Sequence, residues 1–237
     1  GKVIKDAVAS VSGWQRGGNT LLGTIILLSP FSVAAGMTCV EDGFTVDKLR
    51  KKVRVVVESS TAQDAVDVYE AIHVAQPEGL GKVPRLDVTD PASKQQILEE
   101  KVTLLEVFKI SSDYDSVASE WVSNYSITFD LGYPYFAQLI QDQKDINTAT
   151  VQTFLKILSE VPDTFIVRKV GPSKAEQISS KAQKVLDKGG MLTSEGRRSV
   201  HEFDKELRDP AHHFSPGTTA DIVAGVLAVA VLNGYRP

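Results

Sequence analysis

Residues 61–72 read TAQDAVDVYEAI, and this stretch decides the class of fold. Its apolar side chains fall at positions 65, 68, 69 and 72, which is the three- and four-residue spacing of one helix face. Thr61 stands where it can cap such a helix, and Asp64 falls in the first turn, where a carboxylate favours the helix dipole. The stretch therefore predicts an amphipathic helix that begins after Thr61.

The same periodicity recurs along most of the chain. It predicts helices over residues 150–158, from Ser173 to the Gly189-Gly190 stop signal, from Ser194, after Thr218, and through Ile97, Leu104, Leu105 and Phe108. The VRVVV run at 53–57 is rich in β-branched residues, but no second strand of comparable strength is near it, so we interpret it as helical. These patterns together predict an all-α fold.

Two long apolar runs raise the question of a membrane span. The run from Leu21 to Met37 is interrupted by Thr24, Ser29 and Pro30. Because a span needs about 20 predominantly apolar residues, the run predicts a buried helix ending near Pro30. The run from Ile222 to Leu232 is shorter and predicts a buried C-terminal helix.

Composition sets broad limits on function. The chain has 237 residues, of which 42% are hydrophobic and 24% charged, and its net charge is −4. It therefore has no basic field that would attract nucleic acid or anionic lipid, and its single cysteine excludes an internal disulfide framework. We expect one compact multi-helix domain over residues 1–237, with buried central and C-terminal helices, located in the cytoplasm; the sequence does not indicate an oligomeric state.

Three predicted helix starts could bind an anion through free backbone N–H groups and the helix dipole. They are Asn19-Thr20 after two glycines, Asp163-Thr164 followed by Arg168-Lys169, and Gly217-Thr218-Thr219 after a proline. An Arg–Lys pair suits a polyphosphate. The alternatives are ordinary helix caps and a surface charge pair; Thr218 and Asp221 have the spacing of a capping box.

Carboxylates complete the set of candidate groups. Asp64 and Asp67 are three residues apart, so they share one helix face and are predicted to coordinate a divalent cation. The Gly79-Leu80-Gly81 turn lies in a long loop that also carries Asp87. Because Mg²⁺ is usually held by one or two carboxylates and substrate phosphates, the combination indicates a magnesium–nucleotide site; solvated surface acids are the alternative.

Five segments, in this order, resemble the triphosphoribosyl-dephospho-CoA synthase family, and its archaeal-type branch most. They are NTLLGTIILLSP at 19–30, DAVDVYEAI at 64–72, GLG at 79–81, PDTFIVRK at 162–169 and PGTTAD at 216–221. The resemblance implies an all-helical transferase that joins the ribose of ATP to the 2′-hydroxyl of dephospho-CoA and releases adenine. The product of that family is the precursor of an acyl carrier protein's prosthetic group.

The resemblance also implies roles for particular residues. Triphosphate contacts are expected from Arg168 and Lys169 and from the two helix starts at Asn19-Thr20 and Gly217-Thr218. The substrate-binding candidates are Asn19, Thr20, Gly79, Gly81, Asp163, Thr164, Arg168, Lys169, Gly217, Thr218 and Thr219; the catalytic candidates are Asp64, Asp67 and Asp221, of which the first two would hold Mg²⁺.

Two alternatives to this function remain open. The first is another phosphoribosyl or phosphate-ester transferase of coenzyme biosynthesis, and the second is a nucleotide-binding protein without catalysis. Family members carry upstream Pro-Lys-Pro-Gly and Gly-x-His-x-Asp stretches, and this chain begins after the place where those would lie. Either the sequence is a fragment or those residues are absent, so we expect part of the family's site to be missing from it.

Overall fold

Helices make up the regular secondary structure of this chain. The computed structural model describes residues 1–14, 21–39, 43–77, 79–142 and 144–236. Within these ranges there is no β-strand, and the VRVVV run lies inside a helix, Val46–Glu58. The prediction of an all-α fold is confirmed.

Contacts between backbone positions divide the chain into two units, Gly1–Tyr125 and Ser126–Pro237, and each is described by itself. Unit 1 contains α1 (Lys2–Trp14), α2 (Leu22–Cys39), α3 (Val46–Glu58), α4 (Ala62–Ala75), α5 (Ala92–Glu100), α6 (Leu104–Ser111) and α7 (Ser116–Val122). Unit 2 contains a π-helix (Ile127–Gly132), α8 (Tyr133–Gln141), α9 (Ile146–Glu160), α10 (Thr164–Val170), α11 (Pro172–Asp187), a 3₁₀ helix (Gly190–Leu192), α12 (Ser194–Leu207) and α13 (Gly217–Leu232). A single domain over residues 1–237 stays a prediction.

In unit 1, α4 is the helix that the opening stretch predicts. The Asp64 amide donates to the Thr61 hydroxyl, and the Asp64 carboxylate in turn accepts from the Thr61 amide, which together form a capping box. The apolar face is buried as expected, and Ala65, Val68 and Ala71 are completely covered. α1, α2, α5 and α6 pack against this helix.

The prediction that the first apolar helix ends near Pro30 is wrong, because α2 continues through Pro30 to Cys39. Proline has no N–H, so it cannot donate to the carbonyl four residues earlier, that of Ile26. The Trp121 indole Nε1–H donates to that carbonyl instead, at 3.3 Å. The Tyr125 hydroxyl donates to the next carbonyl, Leu27, at 3.1 Å. Two donors from the end of unit 1 therefore satisfy the helix where proline interrupts it.

The structure differs from the sequence predictions in one further helix, which is divided in two, and in four elements that were not predicted. The pattern through Ile97 and Phe108 is two helices, α5 and α6, because Lys101 takes a left-handed backbone conformation with φ 55°. The elements α7, the π-helix and α8, of six to nine residues, were not predicted, because they give too few turns for periodicity to identify them. α1, which has 13 residues, was also not predicted.

In unit 2, α9, α10, α11 and α12 share one apolar cluster. Its buried members include Leu158 of α9, Ile166 of α10, Ile178 of α11 and Phe203 of α12. α13 packs against α8, α9, α10 and the π-helix, and its buried face confirms the predicted buried C-terminal helix. Every helix in the described ranges is too short or too polar to cross a lipid bilayer.

The start of α12 lies against the 3₁₀ helix at a point that only glycine can occupy. A Cβ atom at Gly196 would lie 2.2 Å from the carbonyl oxygen of Gly190 and 2.4 Å from its nitrogen. These are backbone atoms, which cannot turn aside as a flexible side chain could. Gly196 thus allows close contact between the two helices.

We expect Gly196→Ala to lower the free energy of unfolding by about 1–3 kcal/mol, because the added methyl overpacks the contact. Gly36→Ala is the matched control: Gly36 is an exposed helix glycine in α2 whose Cβ position meets nothing within 4 Å. That change should stabilise the protein by about 0.5–1 kcal/mol. Urea unfolding of the three proteins measures both effects, and a stable Gly196→Ala variant would contradict the packing described here.

Candidate functional site

A buried carboxylate in unit 2, that of Asp163, joins the starts of two helices. Its Oδ1 accepts hydrogen bonds from the amides of Phe165 at 2.9 Å and Ile166 at 3.2 Å and so caps α10. Its Oδ2 accepts from the amide and hydroxyl of Thr219 in α13, at 2.7 and 2.8 Å. Asp163 is 1% exposed. Burial raises the pKa of the Asp163 carboxyl, and the hydrogen bonds from Thr219, Ile166 and Phe165 oppose that rise.

Four predicted substrate-binding residues have hydrogen-bond partners within the fold. Asp163 and Thr219 are both buried and bond to each other, and their contact with substrate stays a prediction. Thr218 is also buried, and its hydroxyl accepts from the Thr164 hydroxyl at 3.2 Å. The four side chains hold α10 against α13.

The capping box between Thr218 and Asp221, which their spacing allowed as an alternative, does not form. α13 begins at Gly217, and Pro216 stands at the N-cap position without a side-chain cap. The carboxylate of Asp163 serves as the cap, although it belongs to another helix. Asp221 is half-buried in α13, and its catalytic role stays a prediction.

The backbone amides at the start of α13 were predicted to bind phosphate. The Gly217 amide donates to the Ser215 carbonyl at 2.8 Å, and the Thr219 amide donates to Asp163. These two N–H groups are therefore engaged within the fold. Phosphate binding by the backbone of Gly217, Thr218 and Thr219 stays a prediction, and it would require the amides of Gly217 and Thr219 to exchange these acceptors for the phosphate.

The predicted basic pair lies near the same helix start. Lys169 Nζ is 4.5 Å from the centroid of the Phe165 ring, and Arg168 Cζ is 5.8 Å from it, within the range of cation–π contacts. A Cβ atom at Gly217 would lie 3.6 Å from the same ring. Phe165 therefore places both cations beside the start of α13. We call these residues, Phe165, Arg168, Lys169 and Gly217, the basic corner.

The basic corner adjoins the loop between α12 and α13. Lys169 Nζ donates to the carbonyl of His212 at 3.3 Å. His212 and His213 are exposed, and His213 Nδ1 lies 3.2 Å from Asp209. In the described part of the chain no group of three or more His, Cys, Asp or Glu side chains could hold a metal ion.

A cavity of about 940 Å³ opens beside this loop, within unit 2. Its apolar lining comes from α9, the 3₁₀ helix and α12: Val151, Phe154, Leu155, Met191, Val200, Phe203 and Leu207. Polar and charged lining residues include Arg197, His201, Asp204, Arg208 and His212. Spacing alone did not identify this cavity, because its walls come from separate helices.

In unit 1, Asp64 and Asp67 contact different partners. Asp64 Oδ2 accepts from the amide and hydroxyl of Thr61, both at 2.8 Å, and Oδ1 accepts from the Gly1 nitrogen at 2.7 Å. Asp67 is buried, and its Oδ1 accepts from Lys5 Nζ at 2.7 Å. Hydrogen bonds to Asp67 and to Glu70 raise the pKa of Lys5. Binding of Mg²⁺ by this pair stays a prediction, and it would require Asp64 to exchange these donors for the metal.

The loop after α4 carries Gly79 and Gly81, which are exposed. Asp87 holds the loop by accepting from the amide of Val83 at 3.0 Å and from the hydroxyl of Thr89 at 2.7 Å. The bonds from Thr89 and Val83 lower the pKa of Asp87. Substrate binding by the two glycines stays a prediction. Asn19 and Thr20 lie outside the described residues.

The model of the family described as "CitG: ATP:dephospho-CoA triphosphoribosyl transferase" matches residues 1–237. The chain belongs to this family. The resemblance stated from its five segments is therefore confirmed, and the family is one of transferases.

The alignments with curated relatives span a smaller part of this chain than the family model does. The 2-(5″-triphosphoribosyl)-3′-dephosphocoenzyme-A synthase of Klebsiella pneumoniae is 34% identical over 91 residues, which are 38% of this chain and 30% of the relative. The enzyme of the same name from Escherichia fergusonii is 30% identical over 102 residues, 43% of this chain and 33% of the relative. The matches thus span about a third of the length of these relatives.

A solved structure supports the fold over nearly the whole chain. The crystal structure is of an Archaeoglobus fulgidus protein described as a candidate triphosphoribosyl-dephospho-CoA synthase. It matches with a TM-score of 0.74 and 22% identity, covering 99% of this chain and 91% of that one. At this identity the match shows the all-helical fold that the family member shares.

We expect Asp163→Ala to lower the free energy of unfolding by about 3 kcal/mol or more, because each buried N–H or O–H left without a partner costs roughly 1–3 kcal/mol. Asp145→Ala is the matched control in the same unit. Asp145 is an exposed N-cap that bonds only within its own helix, to Thr148, so its loss should cost about 1 kcal/mol. Denaturant unfolding measures the difference, and equal losses would contradict the double role of Asp163.

Proposed function

We propose that this chain transfers the triphosphoribosyl group of ATP to a hydroxyl of dephospho-CoA and releases adenine. The observation that carries the proposal is the family match over residues 1–237. The basic corner supports it, because two cations stand beside a helix start and next to a large cavity. We expect the reaction to take place in the cytoplasm.

The proposed reaction exchanges one bond at C1′ of the ATP ribose for another. The bond from C1′ to N9 of adenine breaks, and a bond from C1′ to the acceptor oxygen forms. The acceptor hydroxyl loses its proton, and adenine leaves carrying one. Positive charge develops on the ribose ring as adenine departs, so a nearby carboxylate stabilises the transition state, and a second carboxylate takes the hydroxyl proton. Asp64, Asp67 and Asp221 are the proposed carboxylates.

The proposed role of Arg168 and Lys169 is to bind the triphosphate. Arg168 offers a planar fork of donors, and Lys169 a compact charge. Lys169 Nζ donates to the carbonyl of His212 and lies over the Phe165 ring, beside the start of α13. A triphosphate would interact favourably with both cations.

Mg²⁺ is the proposed cofactor, and bound to ATP it would neutralise part of the triphosphate charge. Both predicted ligands retain an oxygen outside the contacts described within helix α4 and with Lys5: the capping-box donors of Asp64 lie on Oδ2, and the described partners of Asp67 lie on Oδ1. Magnesium is commonly held by one or two carboxylates together with substrate phosphates.

We expect Arg168→Ala and Lys169→Ala each to lower kcat/KM for ATP by about tenfold to a hundredfold, since a hydrogen bond to a charged group contributes roughly 1.5–3 kcal/mol. Arg168→Lys should restore only part of the loss, because it keeps the charge without the fork. Adenine release from ATP and Mg²⁺ in the presence of dephospho-CoA, followed by chromatography, measures these rates.

Lys181→Ala is the control for this series. Lys181 is an exposed cation of unit 2 that pairs with Glu206, away from the basic corner. Its replacement should leave adenine release unchanged. If Arg168→Ala and Lys169→Ala behave like this control, the basic corner does not bind ATP. If adenine is released without an acceptor, or if no adenine is released, the two alternative functions are favoured over the proposed one.

We expect Asp67→Asn to raise the Mg²⁺ concentration for half-maximal adenine release by about tenfold, as a weakened metal ligand does. Asp6→Asn is the control, because Asp6 is an exposed carboxylate paired with Lys2. A purely structural Asp67, which pairs with Lys5, would lower the unfolding temperature and leave the Mg²⁺ dependence unchanged.

A further inference from the structure

The cavity of unit 2 has an apolar interior and a rim whose charges are largely paired. Its deep lining is aliphatic and aromatic, from Val151, Phe154, Val200 and Phe203 among others. At the rim, Arg208 Nε donates to Asp204 Oδ2 at 2.8 Å. The cavity therefore offers apolar surface and little net charge.

The other charged groups of the lining also have hydrogen-bond partners within the protein. Arg197 Nε donates to the Met191 carbonyl at 2.8 Å, which keeps its guanidinium at the edge. Asp209, also in the lining, accepts from the backbone amides of Ala211 and Phe214 and lies beside His213. Two arginines and two carboxylates line the cavity, so the lining has no excess positive charge that would favour an anionic group inside.

The cavity adjoins the basic corner. His212 and Pro216 line it. The carbonyl of His212 accepts from Lys169, and Pro216 immediately precedes Gly217 at the start of α13. A molecule that has anionic groups at Lys169 could thus extend an uncharged part into the cavity.

We infer that this cavity binds the pantetheine arm of dephospho-CoA, an inference that rests on the proposed function. The arm is an uncharged, flexible chain with two methyl groups, two amides and a terminal thiol, and it is joined to a diphosphate. A cavity of about 940 Å³ lies within the size range of small-molecule sites. The arm suits an apolar interior, and its diphosphate suits the neighbouring cations.

The adenine of ATP fits this cavity less well. Its ring nitrogens and amino group lie around the edge of a rigid purine, so apolar lining residues such as Val151, Phe154 and Phe203 would leave several of them without hydrogen-bond partners. The amides and hydroxyl of the flexible arm are separated by apolar groups, so they can turn toward polar lining residues such as Arg197 and His201. Binding of adenine here is one outcome that the experiment below distinguishes.

The first measurement uses the unmodified protein and free pantetheine, kept reduced. Pantetheine should inhibit adenine release competitively against dephospho-CoA and not against ATP. Competition against ATP would assign the cavity to adenine and overturn the inference. Calorimetric binding of pantetheine alone is measured alongside, so that a protein inactive with ATP still reports on the cavity.

The second experiment fills the cavity with a larger side chain. Val200→Trp places an indole in the lining, and we expect it to raise KM for dephospho-CoA by about tenfold while KM for ATP changes less than about twofold. Lys205→Trp is the control, because Lys205 is exposed on the same helix, α12, and is not part of the lining. It should leave both KM values unchanged. Circular dichroism melting shows whether each variant is folded.

The outcomes separate the two proposals. If the unmodified protein releases no adenine but binds pantetheine, and Val200→Trp removes that binding, the proposed function fails and the arm site stands. If adenine is released but pantetheine neither binds nor competes, the arm site is wrong and the function stands. Should Val200→Trp fail to fold, the competition and calorimetric data on the unmodified protein decide the question.

Discussion

The arrangement of unit 2 depends on one buried carboxylate. Asp163 accepts four hydrogen bonds, two from the start of α10 and two from Thr219 in α13, so its oxygens face the positive ends of two helix dipoles. A buried carboxylate is tolerated only when such donors surround it. Because the two helix starts must stay together to supply them, Phe165, Arg168 and Lys169 are held beside Gly217.

Sequence periodicity predicted most of the long helices, and local spacing predicted the cap of α4. The capping box of Thr61 and Asp64 involves residues three apart, so the sequence contains all of its information. The bond between Asp163 and Thr219 joins residues 56 apart, and no local pattern indicates it. The same limit applies at Thr218, where spacing allowed a local cap as an alternative and another helix supplies the carboxylate.

The same distinction between local and tertiary information applies to the candidate site. Charge type and neighbourhood in sequence brought Arg168 and Lys169 into the prediction, and the structure places both beside Phe165. Whether a backbone N–H is available to a ligand depends on tertiary partners, and the amides of Gly217 and Thr219 already have theirs. The apolar cavity could not be predicted, because its lining comes from three elements that only the fold assembles.

The proline within α2 has a consequence for the order in which unit 1 forms. The carbonyls of Ile26 and Leu27 obtain their donors from Trp121 and Tyr125, which are 95 and 98 residues later in the chain. During synthesis from the N-terminus, α2 therefore emerges long before the side chains that complete it. α1 and α3 can pack against α2 early, but until Tyr125 has left the ribosome the carbonyls around Pro30 lack these two donors, so α2 is completed only when the last residues of unit 1 arrive.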